Sequence, residues 1–148
     1  MSSSAAINAY NKVGIESGVT AADPHKLISM LYQGALLAIA NAKNGILRSD
    51  VPAKGKAISH AMLIIGDGLN ASLNKDVGGE LAHSLSALYE YMIKRLLFAN
   101  LNNDTAALDE VSGLLGGLKE AWESIRQPAT MAPPPAADQG DKRLYAKG

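Results

Sequence analysis

The sequence predicts an all-α fold: an antiparallel up-and-down four-helix bundle, with an extra short N-terminal helical segment and a disordered C-terminal tail. Three observations lead there. Apolar residues make up 47 % of the 148-residue chain and aromatics only 5 %, so its core is built from aliphatic side chains. Four stretches repeat apolar residues in steps of three and four, the spacing of a helix with one covered face. The breaks between them are short, and short links join antiparallel neighbours. At this length the chain is most simply one domain.

Residues 1–22 form an N-terminal segment in which Gly14 and Gly18 oppose a long helix. Ile7 and Tyr10 are three apart and share one side of a single turn, which reads either as a loose tail or as a small apolar latch. The bundle proper spans 23–126. Asp23 caps its first helix and Pro24 suits the first helical position, so a helix is expected over about 24–48. Its apolar face, from Leu27 through Tyr32 and Ile39 to Ile46, is very wide, and Met30 and Leu37 lie outside it. Ser49-Asp50-Val51-Pro52 breaks the chain before a second helix over about 53–73. There Ile58, Met62, Ile65, Leu69 and Leu73 form a stripe, and Leu63 and Ile64 fall off it. Gly66 and Gly68 should weaken its middle by ~1 kcal/mol each relative to alanine.

Gly78 and Gly79 end the next turn, and a third helix is expected over about 80–101. Leu81, Leu85, Leu88, Met92 and Leu96 make its main stripe. Tyr89, Ile93 and Leu97 lie on a second side, and Tyr91 and Phe98 on a third. That is more apolar surface than one bundle face requires: either the helix is covered all round or part of it awaits a partner. Asp104 caps a fourth helix over about 105–126, whose stripe runs Leu108, Val111, Leu115, Leu118, Trp122 and Ile125. Its Gly113, Gly116 and Gly117 are expected to let a neighbouring helix approach closely. Residues 127–148 contain Pro133-Pro134-Pro135 and no apolar period, the composition of a disordered tail.

Several function classes are excluded or disfavoured. Without cysteine there is no disulfide, thiolate zinc site or cysteine nucleophile. The formal charge is zero, with 14 basic and 14 acidic residues and no basic run, so a nucleic-acid footprint is missing. No run of 18 apolar residues exists and the Ser-rich start lacks a charged leader pattern, so a soluble cytoplasmic protein without membrane insertion is expected. His25, His60 and His83 belong to no metalloprotease motif and are expected on solvated faces. Glu80-Leu81-Ala82-His83 has the spacing used in di-iron bundles, but it occurs once, and Glu80 reads better as a first-turn acid. No nucleophile elbow or phosphate loop is present. No enzyme and no cofactor is expected; a di-iron bundle is a remote alternative and a self-associating bundle a nearer one.

The stretches AINAYNKVGIESGVTAADPHKLISMLYQGALLAIANA, GGELAHSLSALYEYMIKRLLFANLNND and LDEVSGLLGGLKEAWESI, in that order across about 5–126, resemble the FliS family of flagellar secretion chaperones. Asp23 stands where that family often has Ser or Thr, and Gln33 where it often has Asp. The resemblance implies a helical bundle that binds the disordered C-terminal segment of flagellin in the cytoplasm. The client folds into helices along apolar grooves, which blocks premature polymerisation and keeps it ready for type III export. It further implies that the segment carrying Ile7 and Tyr10 lies over part of a groove and helps dock on the export-gate protein FlhA. Some members have a co-chaperone or antagonist. Off-stripe position, and not the resemblance, adds Met30, Leu37, Leu63, Ile64, Tyr91, Ile93, Leu97 and Phe98 as candidate client contacts. The tail lies outside the resemblance.

Overall fold

The computed structural model describes residues 23–125. Four helices fill that span: α1 Pro24–Leu47, α2 Val51–Leu63, α3 Lys75–Asn102 and α4 Thr105–Ser124, with a π-helical segment Ile64–Asn70 continuing α2. Among the described residues there is no strand. In space the order is a ring: α1 packs on α2, α2 and its π segment on α3, α3 on α4, and α4 back on α1. This is the antiparallel up-and-down bundle expected.

Each helix starts on a polar cap. Asp23, Asp50 and Asp104 accept from the backbone amides of Lys26, Ala53 and Ala107 at 3.1, 3.1 and 3.2 Å, and Asn74 accepts from Val77 at 3.1 Å. Such a cap contributes about 1 kcal/mol by satisfying an amide that the helix leaves unpaired. The Asp50 cap, with Pro52 in the first turn, starts α2 at Val51, two residues before the expected Ala53. α3 starts at Lys75 and passes through the double glycine expected to precede it. Gly79 adopts φ 59°, ψ −133° and kinks the helix there, a backbone open to glycine and costly for other residues.

The core is aliphatic. Leu31, Ile58, Ile65, Met92, Leu96, Leu108, Val111 and Leu115 are fully buried, each worth roughly 1.5–3 kcal/mol of transfer free energy. Tyr32 of α1 and Tyr89 of α3 meet across the diagonal through a 2.6 Å hydroxyl–hydroxyl hydrogen bond. Burial raises the pKa of both phenols, so both stay neutral.

Three expectations about packing are corrected. Ile64, off the stripe of a regular helix, is only 2 % exposed. The π turn, closed by a five-residue hydrogen bond from the Ala71 amide to the Gly66 carbonyl (3.2 Å), widens the period. Ile64, Ile65, Gly68 and Leu69 therefore all turn inward, and Met62 is only half-buried. Leu81, assigned to the bundle-holding stripe, is 69 % exposed. It lies just past the Gly79 kink at the end of the bundle, and the buried line of α3 runs Ala82, Ser86, Tyr89, Met92, Leu96 and Ala99. Lastly, a Cβ added at Gly113, Gly116 or Gly117 would meet nothing within 4 Å, so these glycines admit no neighbouring helix. Close approach occurs instead at Gly45, where a Cβ would lie 2.9 Å from the Lys54 backbone nitrogen.

Candidate functional site

The surplus apolar residues are spread over several seams. Between α1 and α2 runs a groove of about 420 Å³ lined by Ala38, Asn41, Ala57, His60 and Leu63, with Lys56 at its edge. Its floor is made of small residues at Ala38 and Ala57, so the helices leave a channel that no large side chain fills. Leu63, 42 % exposed, stands at its border.

α3 presents two different flanks. Towards the π segment lies Ile93, whose Cδ1 would sit 3.3 Å from a Cβ at Gly66; it is half-buried against the core. Towards α4 lie Tyr91, Arg95 and Phe98. The Tyr91 hydroxyl donates to one carboxylate oxygen of Glu110, and Arg95 Nε donates to the other at 2.8 Å. The Arg95 guanidinium carbon stands 5.0 Å from the Phe98 ring centroid, within cation–π range. The Tyr91 hydrogen bond, and then Arg95, hold the Glu110 carboxyl below the usual carboxylate range. The same contacts with Glu110 push the Tyr91 phenol up. Tyr91 and Phe98 are nonetheless 42 % exposed each, so the clamp orders their rings at the surface without covering them.

The remaining candidates separate. Leu97 and Leu37 are exposed, at 47 % and 59 %. Met30 is half-buried and lines a notch of about 650 Å³ between α1 and α4, together with His25, Ser29, Gln33 and Lys119. Ile64 is core and presents nothing to a partner. Ile7 and Tyr10 lie outside the described residues.

Two features escaped the sequence. Exposed Leu47, Val51 and Leu101 add apolar surface at one end of the bundle. Their signal was available, since each sits at a helix terminus where neighbours run out. At the other end, His25 does not sit on a solvated face. Its ring stacks on Trp122 at 4.8 Å, its Nε2–H donates to the Trp122 carbonyl at 2.9 Å, and Trp122 Nε1–H donates back to the His25 carbonyl at 2.9 Å. These residues are 97 apart in sequence, and no local signal joins them.

Among the described residues no three His, Cys, Asp or Glu side chains come together to hold a metal ion. No helix among them is long and apolar enough to cross a membrane. A helical bundle with large apolar side chains exposed along its seams belongs to the class of all-α bundles with apolar surface left over by the core.

The comparisons make that class specific. The family model for flagellar protein FliS matches residues 6–129. The chain is 48 % identical over 130 residues to the flagellar secretion chaperone FliS of Salmonella typhimurium, covering 88 % of this chain and 96 % of that one. It is 48 % identical over 120 residues to the flagellar secretion chaperone FliSB of Pseudomonas aeruginosa, covering 81 % and 94 %. With FliS of Bacillus subtilis the identity is 38 % over 112 residues, covering 76 % and 82 %. The chain belongs to the FliS family and so to the flagellar secretion chaperones, a non-enzymatic class.

Proposed function

We propose that this chaperone binds the C-terminal segment of flagellin as apolar helices laid along its seams. In the cytoplasm the bound segment is withheld from polymerisation and remains ready for export. The observation that carries this reading is the placement of exposed apolar side chains along the helix seams, above all Leu63 on the α1–α2 groove, with Tyr91 and Phe98 exposed on the flank of α3 that faces α4.

Magnitudes favour a client that wraps. Covering one Leu- or Ile-sized side chain is worth roughly 1.5–3 kcal/mol. Ordering a disordered segment costs about 2–5 kcal/mol, and association itself costs about 4–15 kcal/mol more. A few anchors in one groove cover the ordering cost with little left for association, and a client crossing two seams roughly doubles the favourable term. Exposed apolar seams also invite aggregation in the empty state. A segment carrying Ile7 and Tyr10 that covers part of a groove would relieve this and would compete with the client. In this reading the same segment contributes to docking on the export-gate protein FlhA, and a co-chaperone or antagonist would address the same surface.

Isothermal titration with a flagellin C-terminal peptide tests the reading. Leu63→Glu and Phe98→Glu should each weaken binding by at least about tenfold, the loss of one apolar anchor, while the helical signal of the chaperone stays intact. Unchanged affinity in both variants would remove these seams as the binding surface. Deleting residues 1–18 should raise peptide affinity, and an unchanged isotherm would sink the latch.

A further inference from the structure

The proposed function makes no use of residues 126–148, most of which lie beyond the match to the family model. Their charge runs opposite to that of the bundle. Residues 23–125 hold eleven acidic and nine basic side chains. Beyond them Arg126, Lys142, Arg143 and Lys147 are set against Asp138 and Asp141 alone. A neutral chain is thus an acidic bundle joined to a basic extension. Most of that positive charge sits in Lys142-Arg143-Leu144-Tyr145-Ala146-Lys147, where two large apolar side chains lie between basic ones.

The bundle carries a complementary pattern at the end where α4 stops. In the first turns of α3, Asp76, Val77, Glu80 and Leu81 are all exposed, Val77 by 82 %. The Gly79 kink lies in the middle of this stretch. None of the four ion pairs among the described residues engages Asp76 or Glu80. The two apolar side chains contribute nothing to the core, so they are surface left over by the bundle. The position also suits the extension. Because α3 and α4 are antiparallel neighbours, α4 ends where α3 begins. The sixteen residues 126–141, taken as a flexible chain, span roughly 20 Å, against about 10 Å between neighbouring helix axes.

We propose that Lys142–Lys147 docks on the first turns of α3. Leu144 and Tyr145 cover Val77 and Leu81, while Lys142, Arg143 and Lys147 approach Asp76 and Glu80. A tethered segment needs only weak intrinsic affinity, because a short linker holds it at about millimolar effective concentration. The surface involved is separate from the α1–α2 groove and from the Tyr91–Phe98 flank, so the client and the extension can be bound together.

The absence of cysteine allows a clean test in the full chain. With Leu81→Cys and Tyr145→Cys, mild oxidation should close a disulfide within one chain, read on a non-reducing gel. Proximity of the tether alone would also give some bond, so charge decides. Adding Asp76→Lys and Glu80→Lys should slow closure about tenfold, and adding Lys142→Glu and Arg143→Glu on top should restore it. Circular dichroism confirms that each variant is folded. Equal rates in the three proteins would overturn the proposal. So would a disulfide formed mainly between two chains, which would make a second copy the occupant.

Discussion

Where α1 turns into α2 and α3 into α4, backbones and side chains are pressed together. Where the π segment turns into α3, side chains also pack, but the helical backbone departs from α geometry twice. At the first end, Gly45 lets the start of α2 ride against α1, and buried Lys54 spans the gap to α3. Its ammonium donates to the Asn100 carbonyl at 2.9 Å and to Asn103 Oδ1 at 2.8 Å. A cation at the C-terminal end of α3 is also where the helix dipole favours one. At the second end the helix after Leu63 loosens into a π turn, and α3 kinks at Gly79. The His25–Trp122 pair there joins α1 to α4. One end fixes the register of the bundle, and the other leaves slack beside the residues that lead to 22 and 126.

That contrast can be broken by substitution. The largest effect is expected from Gly45→Val, which puts a branched side chain into the Lys54 backbone and should cost about 3 kcal/mol, measured by urea denaturation. Lys54→Met keeps the aliphatic stem and leaves the Asn100 carbonyl without its donor, for a loss of about 2 kcal/mol. At the loose end Gly79→Ala should cost about 2 kcal/mol, because φ 59°, ψ −133° is a backbone essentially reserved for glycine. It should also speed amide exchange near residues 75–82 more than in α1. A Gly79 effect as large as that of Gly45 would erase the difference between the ends.

A smaller effect concerns the α3–α4 clamp. The carboxyl of Glu110 is held below the ordinary carboxylate range in the folded chain. Its contribution is therefore present above about pH 4.3 and lost as pH falls through the lowered folded value. Glu110→Gln should be slightly less stable than the parent at neutral pH, and the two should converge in acid. The raised Tyr91 phenol gives the opposite sign: its share is present below about pH 10 and lost as pH rises further. Smallest of all, Gly113→Ala should stabilise by roughly 0.8 kcal/mol, because helix propensity improves and the site is open.

Much of the bundle was legible in the sequence because its signals are local. Asp23 and Asp104 announce caps one turn before apolar periodicity begins, and the buried face of α1 from Leu27 to Ala42 follows a plain 3.6-residue period. What was not legible depends on a change of period or on distant partners. A π turn alters the angle per residue, so a uniform helical wheel misplaces Ile64. A kink followed by the end of the bundle exposes Leu81, which no wheel can foresee. The glycines of α4 suggest close approach, but whether a neighbour faces them is a tertiary fact. In the candidate site, off-stripe position correctly implied exposure for Leu37, Leu63, Tyr91, Leu97 and Phe98. It gave no hint that Tyr91 would be clamped to Glu110, a partner on the next helix.

The central claim is that the seams of this bundle receive flagellin's C-terminal segment as helix. The most direct test is to titrate the chain with that peptide and record circular dichroism at the helical minimum. The account predicts more helix than the sum of the two components, saturating at one peptide per chain, and loss of that gain in the Leu63→Glu, Phe98→Glu double variant. A signal equal to the sum throughout, or a full gain in the double variant, would contradict it.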